Sequence, residues 1–222
     1  MKKKDLLVII GAGGFGQEIV WAANNMNGLR DRFQVIGYCD DDSAKKGAEV
    51  YGTKVLGTPE EAAKSLQAKA YFLCAIGDNA VRINAAKRAL ALGWEPTTII
   101  DPSVIRAEFI CVGAGTYIGA GSILSPYAQI GQHVIINHHC SIGHDSRLED
   151  FVQVSPGCRI SGSCRIKTGA TLGSNAVVAP GRMIGRMATL GACSFAVTDI
   201  GDNITAIGNP ARAIMQRRPE QA

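Results

Sequence analysis

The 222-residue chain has no apolar run of the eighteen or so residues that a membrane span requires, and Met1-Lys2-Lys3-Lys4 is followed only by a strand-length apolar stretch that ends in glycines. The expectation is a soluble, cytoplasmic protein with no membrane insertion. The seven cysteines include no CxxC pair, which leaves disulfide frameworks and zinc–cysteine sites without support. No basic block interleaved with aromatics occurs, and 23 Lys and Arg against 19 Asp and Glu give a net charge of only +4. That balance favours small anionic ligands over nucleic acid. What the chain does have is 46% hydrophobic residues, enough for one large core or two modest ones.

Much of that content is strictly periodic. From Val112 to Leu190 every sixth residue is aliphatic without a break: Val112, Ile118, Leu124, Ile130 and so on to Val178, Ile184 and Leu190. Neither a helical period of 3.6 nor a strand period of 2 generates six, whereas hexapeptide repeats build parallel β-helices. The residue four places after each aliphatic is mostly small, as a tight corner over a packed interior requires. Cys140, Cys158 and Cys164 fall at that place and read as compact apolar fillers. Glycine often follows the aliphatic directly (Gly113, Gly119, Gly131, Gly143, Gly173, Gly185, Gly191), consistent with sharp turns of unusual backbone conformation. The register fades after Leu190.

Ahead of the repeat the pattern changes. Leu6 to Ile10 is a continuous aliphatic run, the mark of a buried parallel strand, and it leads through Gly11-Ala12-Gly13-Gly14-Phe15-Gly16 into a helix. Strand, Gly-rich turn and helix start aim backbone N–H groups at a phosphate; the plain alternative is a turn that only lets helix and strand pack closely. Phe33 to Cys39 reads as a second strand ending at Asp40-Asp41-Asp42, acids that bind a ribose or begin a solvated loop. Tyr71 to Ile76 reads as a third strand, followed by Gly77-Asp78-Asn79 and a helix over Ala80–Leu92. These elements make about half of a dinucleotide fold, with its ligand crevice at the carboxyl ends of the strands, and suit a single nucleotide better than NAD. The predicted division is residues 1–98, an α/β Rossmann-like half-domain, and residues 99–222, an all-β left-handed parallel β-helix.

Three of the four histidines, His138, His139 and His144, fall within one coil. His138 and His144 both stand two places after an aliphatic, so they occupy equivalent points on successive faces and diverge within one subunit. One coil beyond His144, about 4.8 Å along the stack, is Gly162, whose missing side chain leaves a shelf for a thioester. A neutral imidazole suits a general base at neutral pH, and Asp145 is placed to orient it, although adjacent side chains in an extended segment point apart.

Taken together, the Gly-rich turn, the Asp40-Asp41 strand end, Ile76-Gly77-Asp78-Asn79 with Arg82, Asp101-Pro102-Ser103, the hexapeptides, His144-Asp145 with Asp150 to Gly157, and the closing Gly208-Asn209-Pro210-Ala211-Arg212 resemble one family. It is that of the sialic acid O-acetyltransferases and UDP-N-acetylbacillosamine-type N-acetyltransferases, trimeric sugar acyltransferases of the hexapeptide-repeat β-helix type. The resemblance implies acetyl-CoA as acyl donor and His144 as general base assisted by Asp145. It also implies a sugar or nucleotide-sugar acceptor in the N-terminal domain near Gly13, Gly14, Phe15, Asp40, Asp41, Gly77, Asn79 and Arg82. CoA is expected to run past Gln153, Gly162, Gly173, Ser174, Gly191 and Ala192, between subunits of a homotrimer. Some relatives carry a histidine where this chain has Gln153, which can donate a hydrogen bond but cannot carry a proton. His138 and His139 are expected in the sugar pocket or at the subunit interface, and Ile123 and Ile135 on a wall open to a partner. Arg147 and Arg165, one coil apart, meet CoA phosphates or form a solvated face.

The expected reaction is acetylation of a nucleotide-linked amino sugar for surface glycan synthesis, with sialic acid O-acetylation as the alternative. His139 and His144 also have the HxxxxH spacing of γ-class carbonic anhydrases, but the third histidine of such a zinc site is missing, and no metal is expected. A nicotinamide oxidoreductase would leave the repeat without a role, and a pure scaffold would leave His144 over Gly162 unexplained.

Overall fold

The computed structural model describes residues 4–25, 29–66 and 68–216, so Lys2 and Lys3 of the basic N-terminus lie outside the described residues. The chain divides into two units between Ile99 and Ile100. Among the described residues no helix is long and apolar enough to cross a membrane.

The first unit is a parallel sheet with helices. Strands β1 (Asp5–Ile10) and β2 (Phe33–Cys39) are joined through helices α1 (Gly14–Asn25) and α2 (Leu29–Arg32). A small antiparallel hairpin, β3 (Glu49–Val50) with β4 (Thr53–Lys54), precedes helix α3 (Pro59–Leu66); then come β5 (Tyr71–Cys74), α4 (Asn79–Ala91) and β6 (Glu95–Pro96). The main sheet is ordered β2-β1-β5-β6, all parallel. Leu7, Val8 and Ile9 of β1 are wholly buried, as a central strand covered on both faces requires. The Asp78 side chain caps α4 by accepting from Val81 N at 3.0 Å. The helix ends at Leu92 and Gly93, where φ is +75°.

The second unit is a parallel β-solenoid of about six turns built on three sheets. Pairing runs at an offset of eighteen residues, Tyr117↔Ile135, Ile123↔Ser141, Gln129↔Arg147, so each aliphatic of the repeat lies inward above its counterpart. Ile118, Leu124, Ile136, Ile142, Val154 and their successors form one continuous interior. The register persists beyond Leu190: Ala196 is buried in the interior as the next member, and the last coil then shortens to sixteen residues, pairing Thr189 with Thr205 and Leu190 with Ala206.

The corners depart from the expected use of glycine. The third residue after each aliphatic, from Gly115 and Gly121 through Tyr127, His133, His139, Asp145 and Phe151 to Met187 and Cys193, has φ between 52° and 76°. Only five of those fourteen places hold glycine: 115, 121, 157, 169 and 181. The glycines directly after the aliphatics lie outside the left-handed region and serve close stacking: a Cβ on Gly113 would come within 2.7 Å of Gln132 N in the next coil. From His133 onward each corner amide donates to a carbonyl of the coil before it, as Ser163 N to His144 O at 2.7 Å and Asp145 N to Pro126 O at 3.1 Å.

Some of the small corner residues are alanines, and the hydroxyls and thiols among them are buried and hydrogen-bonded. Thr116, Ser122 and Ser146 donate to carbonyls of the next coil at 2.9 Å, and Cys140, Cys158 and Cys164 take the same role through Sγ at 3.1 to 3.2 Å. Those cysteines are therefore fillers that also satisfy a backbone acceptor. On the outer wall, Ile123 is 43% exposed as expected, whereas Ile135, paired with Tyr117 one coil earlier, is covered at 3%.

Candidate active site

His144 and Asp145 follow a strand (Ser141–Ile142) of the six-stranded sheet and turn the corner toward Arg147–Leu148 of the five-stranded one. Neighbouring side chains would diverge on an extended strand, but Asp145 is the left-handed corner residue, φ 59°, and the turn swings its carboxylate back. Asp145 Oδ2 lies 2.8 Å from His144 Nδ1. A carboxylate only accepts, so it selects the tautomer protonated on Nδ1 and leaves the lone pair on Nε2. Both side chains are open to solvent, 65% and 57% exposed.

The place of Gly162 corrects the expectation of an open shelf. A Cβ built on Gly162 would collide with His144 Nε2 and would lie 2.6 Å from Cε1 and 2.9 Å from Cδ2. The imidazole itself fills the room that the glycine leaves. Gly162 is thus a seat for the base.

The remaining residues of the expected CoA path are not gathered at this corner. Gly173, Ser174, Gly191 and Ala192 follow strands of the eight-stranded sheet and form the next edge of the prism, in the ladder that also carries His138. Ser174 and Ala192 are exposed there, and a Cβ on Gly173 would press on Ala192 N at 2.5 Å, so the edge is a low ledge fit for a ligand lying close to the backbone. Gln153 faces outward, half-buried, on the eight-stranded sheet. His139 occupies the same edge as His138, its ring over Gly121, and so stands apart from His144. Among the described residues no group of three or more His, Cys, Asp or Glu is placed to hold a metal ion. The fourth histidine, His133, is buried and stacks on Phe151 with ring centroids 4.9 Å apart. Arg165 is tied to Glu149 at 3.0 and 3.1 Å, while Arg147 lines an open cavity of about 320 Å³ with Gln129, Glu149, Asp150 and Thr168.

In the first unit, a cavity of about 190 Å³ opens at the carboxyl ends of β1, β2 and β5, lined by Ile10, Gly11, Asp40, Asp41, Pro59, Ile76, Val81 and Ala85. Of the expected acceptor residues, Asp40 and Asp41 line it directly. Gly13 and Gly14 are exposed with free space where side chains would be, Phe15 beside them is half-buried, and α1 starts there; Gly11 and Gly16 serve packing instead. A Cβ on Gly11 would meet Ala75 O at 2.6 Å. The Asp40 carboxylate is engaged by Ala12 N (2.9 Å), Asp42 N (3.0 Å) and Lys45 Nζ (3.0 Å). Burial pushes its pKa up, but these bonds outweigh it and hold the group below its ordinary value. Arg82 is a correction: it is wholly buried and donates through Nη1 to Ile76 O at 2.7 Å, with burial lowering its pKa to about 10. It braces the Ile76-Gly77 loop from beneath and is not on the ligand surface. Asn79 is likewise 6% exposed, at the start of α4, while Gly77 is exposed.

Sequence reasoning missed Glu60 and Arg88. The Arg88 guanidinium spans Glu60 (2.7 and 2.8 Å) and Asp41 (2.7 and 3.0 Å), residues 28 and 47 positions away, so only the start of α3 was legible. There Thr58-Pro59-Glu60-Glu61 is a capping box, with Thr58 N donating to Glu61 Oε2 at 3.0 Å.

Residues 6–89 match the family described as the PglD N-terminal domain. A comparison with curated protein sequences finds no significant match. Among solved structures, the chain is 27% identical to perosamine N-acetyltransferase from Caulobacter crescentus, solved as a histidine-to-asparagine variant in complex with CoA and GDP-perosamine; 95% of this chain and 97% of that one superpose at a TM-score of 0.86. It is 28% identical to the acetyltransferase domain of PglB from Neisseria gonorrhoeae in complex with acetyl coenzyme A, over 96% and 100% of the two chains at 0.83. WeeI from Acinetobacter baumannii, 20% identical over 95% and 100%, has the same fold at 0.85.

Proposed function

The chain carries the PglD-type N-terminal domain and shares, over nearly its whole length, the fold of the hexapeptide-repeat sugar acetyltransferases; from that premise we propose that it transfers the acetyl group of acetyl-CoA to the amine of a nucleotide-linked amino sugar. The observation that carries this reading is the His144–Asp145 pair seated over Gly162. Acetyl-CoA supplies the activated acyl group. His144 Nε2 takes the proton from the acceptor nitrogen as it attacks the acyl carbonyl, while Asp145 holds the other ring nitrogen and stabilises the imidazolium. Charge developing on the carbonyl oxygen is met by a backbone N–H; Ser163 N–H is already bonded to His144 O, which leaves the Gly162 amide for that task. The imidazolium returns its proton to the departing thiolate, so no acyl-enzyme and no cysteine nucleophile are needed.

The base corner and the CoA ledge stand on different edges of one prism, which favours a site completed by a second copy. Ile105, Phe109, Ile123 and Tyr127, all more than 40% exposed, form an apolar patch one and two coils before the His144 corner and are the surface such a copy would cover in a homotrimer. Acceptor chemistry then assigns the crevice of the first unit to the nucleotide-sugar. The test is thiol release from acetyl-CoA against UDP-, dTDP- and GDP-linked amino sugars and free sialic acid, with His144→Ala alongside. Turnover of one nucleotide-linked amino sugar that vanishes in the variant supports the proposal. Turnover of sialic acid alone moves the reaction to O-acetylation, and a fully active variant removes His144 as base.

A further inference from the structure

The crevice of the first unit has three walls from distant parts of the chain: Asp40 and Asp41 after β2, Pro59 at the start of α3, and Val81 and Ala85 on one face of α4. Arg88 continues that face of α4 one turn beyond Ala85 without lining the cavity. Its guanidinium is committed on two sides. Nε and Nη2 donate to Glu60, next to Pro59, at 2.8 and 2.7 Å, and Nη1 and Nη2 donate to Asp41 at 2.7 and 3.0 Å. One planar cation thus clamps all three walls through paired, charge-assisted bonds. Without it, the Asp41 and Glu60 carboxylates would lose the cation they share, while Lys45 stays bonded to Asp40.

Asp41 is 58% exposed at the cavity, and each of its oxygens takes one Arg88 N–H, leaving a second lone pair on each. We propose that Arg88 is a positioning residue for the acceptor: it fixes Asp41 as a two-point hydrogen-bond acceptor, so that the part of the acceptor seated in this cavity presents adjacent O–H or N–H donors and not phosphate oxygens. This rests on the assignment of the crevice to the nucleotide-sugar made above. Lysine keeps the charge but lacks the planar fork, and can hold one carboxylate at a time.

The experiment is steady-state kinetics of Arg88→Lys, Arg88→Gln, Asp41→Asn and the double variant Arg88→Lys/Asp41→Asn, with the acceptor identified for the wild type. Arg88→Lys is expected to raise the acceptor KM about tenfold, with kcat and the acetyl-CoA KM within about twofold. Arg88→Gln raises it further, and the double variant is no worse than the worse single, because Arg88 acts through Asp41. An acceptor KM indifferent to Arg88→Lys, a loss confined to thermal stability, or multiplicative losses in the double variant overturn the inference while leaving the function standing. Failure of the wild type to turn over or bind any nucleotide-linked sugar overturns the functional reading, and the inference with it.

Discussion

Gly162→Ala separates the seat of the base from the fold that carries it. Carbon–carbon contacts settle at about 3.5 Å or more, so a methyl group 2.6 Å from His144 Cε1 forces the ring aside by about 1 Å. The backbone does not resist the change, because Gly162 lies outside the left-handed region, and alanine there lowers the entropy of the unfolded chain by an amount worth about 0.4–1 kcal/mol. Catalysis and stability are therefore expected to move in different directions. Displacing a positioned group by about 1 Å costs on the order of 100-fold in kcat, about 2.7 kcal/mol of barrier, while the melting temperature holds or rises slightly. Thiol release with the identified acceptor gives the first number and a thermal melt the second. Adding Gly162→Ala to His144→Ala should cost nothing further, since the glycine acts through the ring. Wild-type kcat in the single variant would refute the seat.

Asp145→Asn keeps the corner's shape but loses the fixed tautomer, and a fall of about tenfold in kcat with an altered pH–rate profile is expected. Cys158→Ser should fold within about 1 kcal/mol of the parent and turn over normally, because serine supplies the same donor to Gly173 O that Ser122 and Ser146 supply at equivalent corners. Arg88 lowers the Glu60 pKa from 4.5 to about 2. A depressed carboxylate stabilises the fold above its unfolded pKa and loses that contribution as pH falls through its folded one, so melting temperature should drop between about pH 4.5 and 2. Glu60 is 43% exposed, which keeps the amplitude small, and Arg88→Gln should shrink it further.

The solenoid was legible because its core is written at one position in six, and the eighteen-residue pairing follows from three faces per coil. The corners were misread because glycine answers two demands there: close stacking directly after the aliphatic, and positive φ two residues later, which His139, Asp145 and Ser163 also meet. The fade after Leu190 is a coil shortened by two residues, which a strict six-residue template cannot follow. In the first unit β1, β2, β5 and α4 stood out by continuous burial or capping, whereas the β3–β4 hairpin is too short and polar to carry a period. His144 was legible as a candidate base; the filling of the space over Gly162 by its own ring was not, since rotamers are not written in spacing. Arg82 and Arg88 show the same limit, one an expected ligand that is a buried brace, the other an unexpected clamp.

The fixed offset between coils also governs which insertions and deletions this chain tolerates. Lengthening the prism by eighteen residues below Gly162 would displace everything after it by one strand spacing and leave every edge facing the same way. Six residues inserted at the same point would instead turn all later side chains to the next face, carrying the ledge at Ser174 and Ala192 round to another edge. Between residues 144 and 162 no length change is neutral, because the ring and its seat are adjacent rungs. Variation in prism length among functional relatives should therefore come in whole coils and fall outside that interval.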